Sequence, residues 1–126
     1  MPKSEGRFDM RNLTETEKLI GRQVKQALFA CRDAICANYP TAQIVLYGSR
    51  ARGQMGPESD FDLLVLLDEE VTFAKKRMIQ DALYEVGLAE DIVISTIVRS
   101  CDAWNSPISQ AMPLYKVIQE EGLRVA

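Results

Sequence analysis

Apolar residues recur along the chain at two spacings. From Ile20 through Val24, Ala27/Leu28, Cys31 and Ala34/Ile35 they step by threes and fours, the stripe of an amphipathic helix. Thr14 and Glu17 have capping-box spacing, so this helix is expected from about residue 14 to 38, with Pro40 closing it. Unbroken apolar runs follow at residues 44–47, in a strand expected at about Gln43–Tyr47, and at 63–67. Helix period returns at Val71 or Thr72, with Phe73, Ile79, Ala82/Leu83 and Val86 as its buried stripe and Gly87 as its stop. An apolar strand that starts with acid comes next, Glu90-Asp91-Ile92-Val93-Ile94-Ser95-Thr96-Ile97-Val98. Asn105-Ser106-Pro107 signals another helix start, Pro113 a break or a new first turn, and Gly122 the end of the closing helix. Residues 1–12 lack periodicity and are expected to be flexible, leaving 13–126 as a single domain.

The chemistry concentrates between the first two apolar runs. Gly48-Ser49 ends one run, a basic Gly-flanked segment follows with Arg50 and Arg52, and Asp60-Phe61-Asp62 opens the next. Side chains two apart on a strand point the same way, so Asp60 and Asp62 should face one side together. Adjacent carboxylates repel unless a cation lies between them or one takes a proton. Hard oxygen ligands of this kind suit Mg²⁺. Gly48 permits a sharp turn and close approach to a ligand. The amides after it, with the Ser49 hydroxyl, would make an anion site, to which Arg50 and Arg52 add positive charge. The same arginines also fit a plain exposed turn. A phosphate cradle beside a metal-binding carboxylate pair is what nucleotidyl transfer requires.

Composition narrows the setting. Hydrophobic residues make up 47% and charged residues 26% of 126, a globular balance for one modest core. A net charge of −3 argues against a dedicated nucleic-acid binder, which would present a basic face. No apolar run approaches the roughly 18 residues of a membrane span, and the first residues lack the apolar centre of a secretory signal. Three cysteines, an odd number, fit reduced thiols in a cytoplasmic protein. Cys31 and Cys36 fall in a helical pattern and read as small hydrophobes. With no histidine, any general base must be a carboxylate, a lysine or a group brought by substrate or partner.

Gly48-Ser49, ten intervening residues and Asp60-x-Asp62 resemble the signature of the polymerase-beta-like nucleotidyltransferase superfamily. Gly48-Ser49-Arg50-Ala51-Arg52-Gly53, together with Ser59-Asp60-Phe61-Asp62-Leu63-Leu64-Val65, is most similar to its minimal nucleotidyltransferase (MNT) branch. Pro113-Leu114-Tyr115-Lys116 through Glu121-Gly122 resembles the closing helix of MNT chains. Many members of that branch are antitoxins paired with HEPN-domain ribonuclease toxins. The resemblance implies an α/β domain of the polymerase-beta-like nucleotidyltransferase fold, a small mixed β-sheet with flanking helices packed mainly on one side. It implies a third carboxylate on the strand after the second helix, matched by Asp91 with Glu90 as the alternative. Asp60, Asp62 and Asp91 would then be the catalytic, Mg²⁺-holding set, and Gly48, Ser49, Arg50 and Arg52 the nucleotide-binding one. The implied reaction moves AMP from ATP (or another NTP) to a hydroxyl, a tyrosine of a HEPN-type toxin, with a partner chain or second subunit presenting the acceptor. A rival expectation is a catalytically silent antitoxin that neutralises its toxin by covering it. A third is a regulatory nucleotide sensor.

Overall fold

The apolar runs become the middle of one sheet in the computed structural model, which describes residues 11–12, 22–48 and 60–126. Strands β2 (Gln43–Tyr47) and β3 (Phe61–Leu67) pair antiparallel, and β4 (Ile94–Ser100) runs parallel to β3 on its other side. A two-residue strand β5 (Leu123–Arg124) pairs with β2, and β1 (Arg11–Asn12) pairs with β5, giving the mixed order β1-β5-β2-β3-β4. Continuous apolar sequence suits a strand covered on both faces. Accordingly, β3 is buried at every position except Asp62.

Alternation along the strands sorts their side chains into two cores. Ile44, Leu46, Phe61, Leu63, Val65 and Leu67 pack with Leu28, Cys31 and Ile35 of helix α1 (Arg22–Cys36) and Ile79 and Leu83 of helix α2 (Phe73–Glu90). Val45, Leu64 and Leu66 face the other way, against Trp104 and Ile118. These two come from the short helix α3 (Cys101–Trp104) and from α5 (Pro113–Glu121), with α4 (Pro107–Gln110) between them. The second face therefore has a cover of its own, where helices mainly on one side were expected. Trp104 and Tyr115 are packing residues, their ring centroids 5.0 Å apart. Cys31, Cys36 and Cys101 are free thiols, Cys31 fully buried. Among the described residues no helix is long and apolar enough to cross a membrane.

Helix α1 keeps its expected stripe from Val24 to Ile35, while Ile20, the Thr14/Glu17 capping box and the expected helix start lie outside the described residues. Helix α2 starts as expected, with the Thr72 hydroxyl accepting from the Lys75 N–H at 3.2 Å. Phe73, assigned to the buried stripe, is instead 79% exposed. Six residues before Ile79, at about 100° per residue, it falls on another face of the helix. Gly87 does not stop the helix, which runs another turn to Glu90 and ends at Asp91 in the left-handed region, φ 58°. The chain then folds back so tightly that the Ile92 N–H donates to the Gly87 carbonyl at 3.0 Å. A Cβ on Gly87 would lie 2.8 Å from the Ile92 carbonyl oxygen. The close return of the backbone, rather than a helix stop, requires glycine there. This turn also delays β4, which begins at Ile94 and not at Glu90.

In the last segment Ser106 caps α4 through the Ser109 N–H at 3.3 Å, with Pro107 in the first turn. Pro113 opens α5, and Gly122 follows its end. The pairing of residues 123–124 beside β2 has no signal in the sequence pattern; the Val125 N–H donates to the Ile44 carbonyl at 2.8 Å.

In an ordinary helix interior Gly→Ala gains up to about 1 kcal/mol. At Gly87 the clash with rigid backbone should dominate, so Gly87→Ala is expected to lower stability by about 1–3 kcal/mol. Thr72→Ala should cost about 1 kcal/mol through the lost cap. Urea unfolding of both variants beside the parent chain measures the two effects.

Candidate functional site

The two β3 pairings bring three polar side chains into one row. Antiparallel pairing sets Tyr47 opposite Asp62, and parallel pairing sets Ser95 on the other side of Asp62. The next row on the same face, Val45–Leu64–Ile97, is apolar and belongs to the core under Trp104 and Ile118. The site thus begins where the apolar cover ends. Asp62 is half-buried there and Asp60, just before the strand, is exposed. The Phe61 N–H donates to the Val93 carbonyl at 2.9 Å, anchoring the start of the strand between the two carboxylates.

Gly48 closes the site from the β2 side. Its φ of +80° lies in the left-handed region, and a Cβ built on it would stand 2.5 Å from Asp62 Oδ2. Both the turn and the contact with Asp62 therefore demand glycine. Burial raises the Asp62 carboxyl above its ordinary value, and the neighbouring charge of Asp60 raises it further. Burial and then the Asp62 charge push the Tyr47 hydroxyl up as well. Burial is the larger cause of both shifts, and neighbouring negative charge adds to it.

The carboxylate pair expected from alternation is present, and Gly48 lies against it. Ser49, Arg50 and Arg52 lie outside the described residues. Asp91, expected on the strand beside the pair, is instead the exposed left-handed cap of α2, its N–H bonded to the Gly87 carbonyl. It lines a recess with Val24, Ala27 and Phe61, towards α1. Glu90, the alternative, is the last residue of α2, and its charge helps burial push the Cys31 thiol up to about 12. Among the described residues no three acidic or cysteine side chains form a metal-holding group. The pattern reading missed Ser95, whose hydroxyl lies 3.3 Å from Asp60 Oδ2. Alternation signals it only once the β3–β4 register is known.

Because folding raises the Asp62 pKa, its protonated form favours the folded state. That contribution is complete below the ordinary value of 3.8 and is lost as pH rises through the raised value. Ionised Asp62 is therefore a liability at neutral pH without a cation. In EDTA, Asp62→Asn is expected to unfold at higher urea than the parent at pH 7, and the gain should shrink towards pH 3.8; urea melts across that range provide the comparison.

The chain is also similar to known proteins. The family model described as "Nucleotidyltransferase domain" matches residues 30–122, spanning Gly48, the carboxylate pair and Ser95. Over 56 residues the chain is 39% identical to "Putative protein adenylyltransferase MJ0141" of Methanocaldococcus jannaschii. That match covers 44% of this chain and 57% of the relative, little more than half its length. Among solved structures, "Crystal structure of the toxin-antitoxin with AMP-PNP" superposes with a TM-score of 0.57 at 17% identity, over 83% of this chain and 73% of that one, a likeness of fold. The family match covers most of the chain and includes the strand pair that builds the site: this protein belongs to the nucleotidyltransferase domain family.

Proposed function

We propose that this chain transfers AMP from ATP to a tyrosine hydroxyl of a HEPN-type toxin and so acts as its antitoxin. One observation carries the reading: two carboxylates stand side by side at the uncovered end of a sheet face, against a glycine that leaves no room for a side chain. The likeness to a relative named as an adenylyltransferase supports AMP as the transferred group. The fold shared with a toxin-antitoxin and AMP-PNP supports the biological setting.

The residues present fit a divalent cation. Asp60 and Asp62 offer hard oxygens; burial, and then the Asp60 charge, disfavours ionised Asp62, and a cation would relieve both. Asp60 and Asp62 would hold Mg²⁺, which when bound would offset the charge that builds on the phosphates during transfer. Gly48 and Ser49, by their place in the motif, hold the β- and γ-phosphates, with Arg50 and Arg52 adding charge. Their task is to keep the α-phosphorus in line with the acceptor. The acceptor oxygen bonds to that phosphorus, the bond to the bridging oxygen breaks and pyrophosphate leaves. With no histidine in the chain, the hydroxyl proton passes to a carboxylate or to solvent. Asp91 matches a third carboxylate by motif alone and takes no part in this geometry.

Incubation with labelled ATP, Mg²⁺ and the HEPN-type partner tests the reading, with mass spectrometry locating an adenylate on a partner tyrosine. Asp60→Asn and Asp62→Asn should abolish transfer while keeping cooperative unfolding. Transfer at the parent rate by Asp62→Asn would sink the mechanism. Gly48→Ala, which must displace Asp62, should lose at least about 100-fold in rate. A partner that is bound and silenced without gaining mass would identify a neutraliser that works by covering.

A further inference from the structure

The strand that follows the second long helix contains no acid. β4 reads Ile-Ser-Thr-Ile-Val-Arg-Ser. Asp91 and Glu90 precede it, one capping α2 and the other ending it, towards the core that contains Phe61 and Cys31. Asp62 faces the opposite side of the sheet, on the alternate position from Phe61 and Leu63. The β4 residue paired with Asp62 is Ser95, and its hydroxyl lies 3.3 Å from Asp60 Oδ2. We propose that Ser95 is the third member of the site, a positioning residue that holds the Asp60 carboxylate beside Asp62 from the β4 position paired with Asp62.

A hydroxyl differs from an acid there in two ways. It donates a hydrogen bond to one Asp60 oxygen, leaving the other free for a cation, and it brings one fewer negative charge. The cluster therefore repels itself less when empty and grips a divalent cation less tightly when filled. At 3.3 Å the bond is long for O–H···O, and bonds of this kind tighten when the ligand arrives. Ser95 is exposed, so its replacement leaves both cores intact. Its part in the reaction rests on the transferase reading; its part in holding a cation does not.

Mn²⁺ binding to the full chain, followed by calorimetry, separates these roles, with transfer kinetics measured alongside. Ser95→Ala should weaken Mn²⁺ about threefold to tenfold, the net worth of one ordinary hydrogen bond, and raise the Mg²⁺ needed for half-maximal transfer by a similar factor. Ser95→Thr keeps the hydroxyl and suits a strand, so it should restore both values to near those of the parent. Ser95→Asp should bind Mn²⁺ more tightly than the parent, because it completes a three-acid set. Unchanged Mn²⁺ affinity in Ser95→Ala overturns the assignment, as does a loss in Asp91→Asn as large as that expected for Ser95→Ala. A parent chain that does not bind Mn²⁺ overturns both this assignment and the transferase reading. Binding that depends on Ser95 without any transfer supports the assignment and overturns the reaction alone.

Discussion

The register of β3 between its two neighbours decides both what is buried and what can react. Strand alternation sends Phe61, Leu63, Val65 and Leu67 to one core and Leu64 and Leu66 to the other, which leaves Asp62 where the cover of the second core ends. A slip of one residue would exchange the faces and drive Asp62 into the core of α1 and α2. Burying an ionised carboxylate without a partner costs several kcal/mol, a large share of a small domain's stability. Hydrophobic patterning and the charge of Asp62 therefore favour the same register.

The site in turn works against the fold. Asp62 is held with its pKa raised, Tyr47 is pushed up beside it, and Gly48 sits in a conformation that other residues seldom adopt. Such electrostatic cost is tolerated because β3 is buried along the rest of its length. Tyr47, in the same row as Asp62, still packs against the core of Trp104 and Ile118, so the carboxylate stands at the margin of that cover.

Much of this was legible in the sequence. The strand at residues 43–47, a helix opening near Thr72, a break or new turn at Pro113 and the shared side of Asp60 and Asp62 follow from period and turn residues, all local signals. What escaped the pattern depends on contacts between distant residues. Gly87 looked like a helix stop because glycine commonly is one; the demand for it comes from Ile92 folding back against the same turn. That turn moved the start of β4 by several residues and took Asp91 off the strand. Ser95 carries no local signal, since one serine in an apolar strand gains meaning only from the residue across the ladder. The pairing of Leu123 and Arg124 with β2 likewise had no periodicity long enough to read.

The turn at Asp91 has its own consequence. A left-handed backbone is comfortable for glycine, asparagine and aspartate, and the carbonyl end of a helix disfavours negative charge. Neutral Asn or Gly would serve this corner at least as well, so its architecture alone gives no reason for an acid. Divergence among sister chains should therefore be free to erase the charge at this corner while the bend itself persists.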